Sequence, residues 1–148
     1  MIIYSPIKGK VVALETVNDP VFSEKMMGEG IAIIPEDSLV LSPVSGTVTS
    51  VFPTKHAFGL ESEDGLELLI HIGLDTVKLN GEYFDAKVSQ GDKVTVGDVL
   101  VSVDFSKVLE AGYDIVTPLI IIDHKGLDIT YSNMNENVDF LDEVIVLK

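Results

Sequence analysis

Apolar residues along this chain fall in short runs, each closed by turn-forming residues, and no heptad run appears. Residues 10–17, 31–34, 46–52, 65–72, 99–103, 116–122 and 144–147 read as strands, punctuated by glycines such as Gly9, Gly46, Gly65, Gly91 and Gly97. Composition sharpens this picture, because valine, isoleucine and threonine number 20, 14 and 8 against five alanines. Beta-branched side chains suit a pleated, half-buried surface, and scarce alanine argues against long helices. The stretch 106–112 is the best candidate for a short helix, with Ser106 as N-cap and Gly112 as its stop. Many short strands with frequent turns predict one all-β domain over residues 1–148, a sandwich or barrel with at most short helices.

One motif occurs twice. Ser5-Pro6-Ile7-Lys8-Gly9-Lys10-Val11 returns thirty-seven residues later as Ser42-Pro43-Val44-Ser45-Gly46-Thr47-Val48. A third passage, 91–100, sets a Gly-Asp turn before a valine-rich strand. Such elements recur in barrel-sandwich folds, including biotinyl and lipoyl carrier domains. Proline at a strand start and glycine at its turn also have purely structural uses.

Hydrophobic residues at 46% and charged residues at 23% exclude disorder for the bulk of the chain. The longest uncharged stretch, 38–54, is broken by Pro43, Gly46 and Pro53, so it offers no apolar helix of membrane length. Ten lysines against 24 acidic residues give a net charge of −14, which repels nucleic-acid phosphates and attracts a basic protein partner. There is no arginine, so phosphoryl chemistry here would take its guanidinium from a partner. No P-loop sequence and no cysteine occur, which removes a P-loop nucleotide site, disulfides and thiolate metal clusters.

Three histidines remain as candidate chemistry: His56, His71 and His124. Residues 55–61 and 66–72 read as strands joined by the turn Ser62-Glu63-Asp64-Gly65. If the hairpin closes symmetrically about Glu63 and Asp64, His56 faces His71 directly and Phe58 lies across from Leu69 on the same face. A two-residue Asp64-Gly65 loop would instead set His71 against Phe58. Close imidazoles repel when both are protonated, so one stays neutral near pH 7. Such a pair fits two chemistries. One ring can accept a phosphoryl group while its neighbour donates to the phosphate oxygens, or both can bind zinc with a carboxylate as third ligand. Thr54 lies on the face of His56 and can fix that ring's tautomer. His124, in Asp123-His124-Lys125-Gly126, reads as a solvated turn residue.

These segments resemble the glucose-family EIIA domain of the bacterial phosphoenolpyruvate-dependent sugar phosphotransferase system. Residues 65–77, Gly-Leu-Glu-Leu-Leu-Ile-His-Ile-Gly-Leu-Asp-Thr-Val, look like that family's phosphorylation-site signature. Asp19-Pro20-Val21-Phe22-Ser23-Glu24-Lys25 and Thr54-Lys55-His56-Ala57-Phe58 look like its other two hallmark segments. The resemblance implies an antiparallel β-sandwich with Greek-key and jelly-roll features. It implies phosphorylation of His71 on Nε2 by HPr and onward transfer to the EIIB domain of a sugar permease. By the same resemblance His56 stabilises the phosphoryl group, Thr54 holds His56, and the carbonyl of Gly73 holds Nδ1 of His71. Asp19, Val21, Phe22 and Asp75 resemble the partner-facing rim.

The resemblance further implies no cofactor, a monomer, and a cytoplasmic place at the inner face of the permease. Zinc is expected only as an ion bridged by His56, His71 and a partner's carboxylate. Some relatives carry a membrane-binding N-terminal helix; this chain enters the domain at once with Met1-Ile2-Ile3-Tyr4, so no membrane insertion is expected. Two rival readings are weaker. A zinc hydrolase would use the His71-to-Asp75 spacing but lacks the His-x-His element of such peptidases. A lipoyl or biotinyl carrier would use Lys25 in Glu24-Lys25-Met26, outside the usual hairpin context.

Overall fold

In the computed structural model, which describes all of residues 1–148, the short apolar runs become fourteen strands. In chain order these are β1 (Ile2–Tyr4), β2 (Gly9–Ala13), β3 (Glu29–Pro35), β4 (Leu39–Leu41), β5 (Gly46–Val51), β6 (Ala57–Ser62) and β7 (Glu67–His71). There follow β8 (Phe84–Ala86), β9 (Lys93–Val94), β10 (Val99–Val103), β11 (Thr117–Asp123), β12 (Ile129–Tyr131), β13 (Asn137–Val138) and β14 (Glu143–Leu147). Two short helices, α1 (Pro20–Ser23) and α2 (Phe105–Glu110), complete the set with 3-10 turns at Leu14–Thr16 and Thr76–Leu79. Every strand pairing is antiparallel. The fold is therefore the all-β sandwich that the sequence predicts.

The helix near 106–112 starts earlier than expected. Asp104, not Ser106, is its N-cap, and its Oδ1 accepts the amide of Lys107 at 3.2 Å. A carboxylate is as good a cap as a hydroxyl, so Phe105 can bury itself in the first turn.

An eight-stranded sheet runs β13-β2-β3-β11-β7-β6-β5-β9, and two three-stranded sheets run β1-β14-β12 and β4-β10-β8. Alternation along the central strands sends side chains to two cores. Ile31, Ile33, Phe58, Leu60, Leu68, Ile70, Leu119 and Ile121 enter the main core. Their neighbours Ala32, Ala57, Leu69 and Ile120 form a smaller core on the opposite face, closed by Leu14, Val17 and Phe22 from the β2–β3 connection.

The repeated Ser-Pro motif folds the same way twice. Ser5 and Ser42 are fully buried, and each hydroxyl donates to the carbonyl two residues on, Ile7 and Val44, at 2.7 Å. The amide of Ser5 donates to Asp142 and that of Ser42 to Asp98, each at 2.7 Å. Gly9 and Gly46 lie so close to the next strand that a Cβ would sit 2.1 Å from the Ile34 oxygen or 2.0 Å from the Glu61 oxygen. The echo is thus the scaffold's own turn, used once in each half of the large sheet.

Candidate functional site

The hairpin that carries the histidines takes neither of the two expected registers. His71 pairs with Ala57, Phe58 with Ile70 and Gly59 with Leu69. The cause is a three-residue loop, Glu63-Asp64-Gly65, with Gly65 in the left-handed region at φ +86°. Ser62 closes it: its amide donates to Leu66 O at 2.9 Å, and its hydroxyl accepts the Leu66 amide at 3.0 Å. An odd loop length shifts pairing by one residue, which moves alternate side chains to the other face. Phe58 therefore points to the main core, while His71 shares the small-core face with Leu69 and Ala57.

The imidazoles still meet. His56 precedes β6, just after Lys55 in the left-handed region at φ +59°, where strand alternation does not apply. The turn is held by the Lys55 amide on Phe52 O at 2.7 Å, and the His56 carbonyl accepts the Ile72 amide at 2.7 Å. The two ring centroids lie 4.9 Å apart, edge to face at 82°. His56 is 4% exposed, and His71 is half-buried at the end of β7.

Each ring is oriented by one contact. Nδ1 of His71 lies 2.8 Å from the carbonyl oxygen of Gly73. A carbonyl only accepts, so this nitrogen carries the proton and Nε2 keeps its lone pair. Nδ1 of His56 lies 2.6 Å from the Thr54 hydroxyl, and when that hydroxyl donates, Nε2 of His56 carries a proton toward its neighbour. A phenyl ring backs each imidazole: Phe22 at 5.0 Å from His71 and Phe52 at 5.5 Å from His56.

Burial keeps both rings neutral. Burial, then the proximity of His71, pushes His56 down to about 4. Burial also lowers His71, against the Gly73 hydrogen bond and the negative charges of Asp19 and Asp75, which favour its protonated form. Near neutral pH the site holds two uncharged imidazoles, one with a free nucleophilic nitrogen.

The remaining candidates divide. Asp19 caps α1, accepting the Val21 amide at 3.0 Å, and Asp75 sits exposed at φ +59° ahead of Thr76–Leu79. Val21 is exposed. Phe22 does not belong to the exposed rim: it is 3% exposed and closes the small core beneath His71, because α1 turns it inward. His124 is an exposed turn residue, as expected. Lys25 is engaged with Glu29 at 3.1 Å and Glu15 at 3.5 Å. Phe52 was missed; an aromatic two residues before Thr54, in a Phe-Pro turn, was the available signal. No three His, Asp or Glu side chains are arranged to hold a metal. Two imidazoles are half of a tetrahedral zinc site, so a zinc ion here would need further ligands from a partner.

Comparison with known proteins identifies the family. The family model for the phosphoenolpyruvate-dependent sugar phosphotransferase system, EIIA 1, matches residues 1–127. The chain is 58% identical over 120 residues to the PTS system beta-glucoside-specific EIIBCA component of Bacillus subtilis (strain 168), a match that covers 81% of this chain and only 20% of that relative. It is 45% identical over 146 residues to the PTS system glucose-specific EIIA component of Staphylococcus aureus (strain COL), covering 99% of this chain and 83% of the relative. Glucose permease IIA from Mycoplasma capricolum has the same fold, with a TM-score of 0.91 at 39% identity over 98% of this chain and 94% of that one. Likeness of this extent, in sequence and in fold, leaves a single assignment: the chain belongs to the EIIA 1 family of the phosphoenolpyruvate-dependent sugar phosphotransferase system.

Proposed function

We propose that this EIIA phosphocarrier accepts its phosphoryl group on Nε2 of His71 from the phosphohistidine of HPr and passes it to an EIIB domain. The observation that carries this reading is the Gly73 carbonyl 2.8 Å from Nδ1 of His71, which fixes the proton there and leaves Nε2 as the nucleophile. The Nε2 lone pair attacks phosphorus as the donor's N–P bond breaks, and that bonding pair returns to the donor imidazole. The Nδ1 proton stays shared with Gly73. His56, oriented by Thr54, donates its Nε2 proton in a hydrogen bond to a phosphoryl oxygen. Delivery to EIIB is the same displacement in reverse sense.

An arginine-free acidic chain needs a partner's guanidinium to spread the charge of the transferring group. Asp19 and Asp75 flank the acceptor electrostatically and offer carboxylates to such a cation, with exposed Val21 as an apolar contact beside them. The EIIBCA relative carries EIIA and EIIB units in one chain by its name, which supports EIIB as the acceptor partner. No helix is long and apolar enough to cross a membrane, and we place the carrier, as a monomer, at the cytoplasmic face of a permease.

Intact mass after incubation with phosphoenolpyruvate, enzyme I and HPr tests the assignment. Wild type should gain one acid-labile phosphate, His56→Ala should retain the capacity to gain it, and His71→Ala should lose it. A phosphate that persists on His71→Ala would move the acceptor elsewhere.

A further inference from the structure

Gly73 and Leu74 share the peptide unit whose carbonyl grips Nδ1 of His71. The N–H of that unit donates to the carbonyl of Asp114 at 3.0 Å, so both ends of the plane are tied. The preceding unit is tied as well: the Thr76 hydroxyl donates to Ile72 O at 2.5 Å, and the Ile72 amide end of that residue is held by His56 O. Gly73 itself sits at φ +73°, where a Cβ would lie 2.6 Å from the Thr76 methyl and 2.8 Å from the Asp114 oxygen. Thr76 is fully buried and its methyl fills the space that glycine leaves open.

We propose that Thr76 is a positioning residue for the phosphoryl acceptor: its hydroxyl locks the Ile72–Gly73 turn so that the Gly73 carbonyl holds His71 with its proton on Nδ1. The inference rests on the phosphocarrier reading only for its kinetic consequence. An unrestrained imidazole carries its proton on either nitrogen, and in the Nε2–H form Nε2 has no lone pair with which to attack phosphorus. Removing the hydroxyl leaves the buried Ile72 carbonyl without this donor and lets the turn rock. Asp114 holds the Leu74 amide through its main-chain oxygen, while its carboxylate accepts the Val116 amide at 2.9 Å.

The test compares Thr76→Val, which keeps the shape and loses the hydroxyl, with Thr76→Ser, which keeps the hydroxyl. Nitrogen-15 NMR of His71 in the unphosphorylated protein reads the tautomer directly. Wild type and Thr76→Ser should show Nδ1–H, and in Thr76→Val the ratio of Nδ1–H to Nε2–H should fall roughly tenfold, the scale of one hydrogen bond. Phosphate uptake from HPr should slow roughly tenfold in Thr76→Val through loss of ring orientation and recover in Thr76→Ser. A lowered melting temperature in Thr76→Val with an unchanged tautomer ratio would reduce Thr76 to a structural role and overturn the proposal. Mixed tautomers in wild type, or loss of Nδ1–H in Thr76→Ser, would overturn it too, whether or not Thr76→Val folds. Failure of HPr to phosphorylate wild type would instead strike the phosphocarrier reading and leave the tautomer result standing.

Discussion

On one side of the β7–β11 junction lie β6, β5 and β9; on the other lie β3, β2 and β13, in mirrored order. The pairings match up to Val48, after which a bulge before Ser50 adds to β5 one residue that β2 lacks. Gly9 faces Pro35 where Gly46 faces Ser62, and Val11 faces Ile33 where Val48 faces Leu60. Ile31 then faces Leu119 where Phe58 faces Ile70. Followed one residue further, this correspondence sets His71 against Ile120, and one residue beyond that sets His56 against Glu29. The halves differ most in one connection. Between β5 and β6 the chain needs only residues 52–56, whereas between β2 and β3 residues 14–28 fold into a 3-10 turn and α1. That longer connection lays Phe22 and Asp19 toward His71 and closes the small core that buries Ile120. A shared frame thus supports two outcomes: a reactive end of β7 and an inert, apolar β11.

The sharpest way to break the correspondence is to cut both members of the pair at its centre. His71→Ala should lower phosphate uptake from HPr by at least about 10⁴-fold, as loss of a nucleophile does, while keeping a cooperative melt. Ile120→Ala should do the reverse, costing about 3 kcal/mol of stability through an unfilled cavity and leaving uptake rates per folded molecule near wild type. Denaturant unfolding with the mass assay separates the two. Equal loss of uptake in both variants would mean that β11 takes part in the site.

Gly9→Ala and Gly46→Ala ask whether the frame is energetically as well as geometrically shared. Each new Cβ would collide with a backbone oxygen of the adjacent strand, and backbone in mid-sheet moves only at the expense of its ladder. Each should cost about 3 kcal/mol, with the two within roughly 1 kcal/mol of one another. Urea midpoints at constant slope would show it, and a large inequality would mean that one half alone carries the sheet's rigidity.

The frame was the legible part. Runs bounded by glycine placed most of the longer strands because period and turn chemistry are local properties, and residues 99–103 became β10 without change. The repeated Ser-Pro motif also announced itself, since each copy meets the same buried environment. The site was legible as residue types. His56, His71 and Thr54 could be named from their spacing and Gly73 only through the family resemblance, but the register that joins them could not. A register depends on one residue of loop length, and the closure by Ser62 of a three-residue loop turns on a side-chain hydrogen bond. The burial of Phe22 was hidden for a similar reason: which way a four-residue helix faces is decided by packing on Leu14 and Val17. Asp114 contributes a carbonyl, and any residue type supplies that.

Titration sharpens the asymmetry by a smaller amount. His56 is depressed from an ordinary 6.5 to about 4, so between these values the unfolded chain binds a proton that the folded chain refuses. Stability is therefore complete above about pH 6.5 and declines as pH falls toward about 4, by about 2 kcal/mol at about pH 5 from this residue alone. His71, lowered in the same direction, adds to the same slope. His56→Gln should flatten the pH dependence across this window relative to wild type in parallel urea titrations. An unchanged slope would show that the imidazole is solvated in the folded state. On the other half, Glu29 makes a partly exposed ion pair with Lys25, worth no more than about 1 kcal/mol.

The smallest effect tests the correspondence most strictly, because nothing in it depends on function. Ser5 and Ser42 each spend a buried hydroxyl on a carbonyl two residues on, at the same 2.7 Å, and both lie at 0% exposure. Their surroundings agree too: Leu141 and Gly97 donate their amides to the Ser5 and Ser42 carbonyls at 2.9 and 3.0 Å. Alanine at either position removes one buried hydrogen bond and leaves one carbonyl short of a donor, which should cost about 1 kcal/mol each. If the two turns acted independently, the double variant would cost their sum within about 0.5 kcal/mol. Yet the Tyr4 amide donates to Pro43 O at 3.2 Å and the Leu41 amide to Pro6 O at 2.8 Å, so the two turns brace each other directly. A double-mutant cycle decides between these: additivity makes them two independent copies of one turn. A coupling of 1 kcal/mol or more would make them one interlocked element.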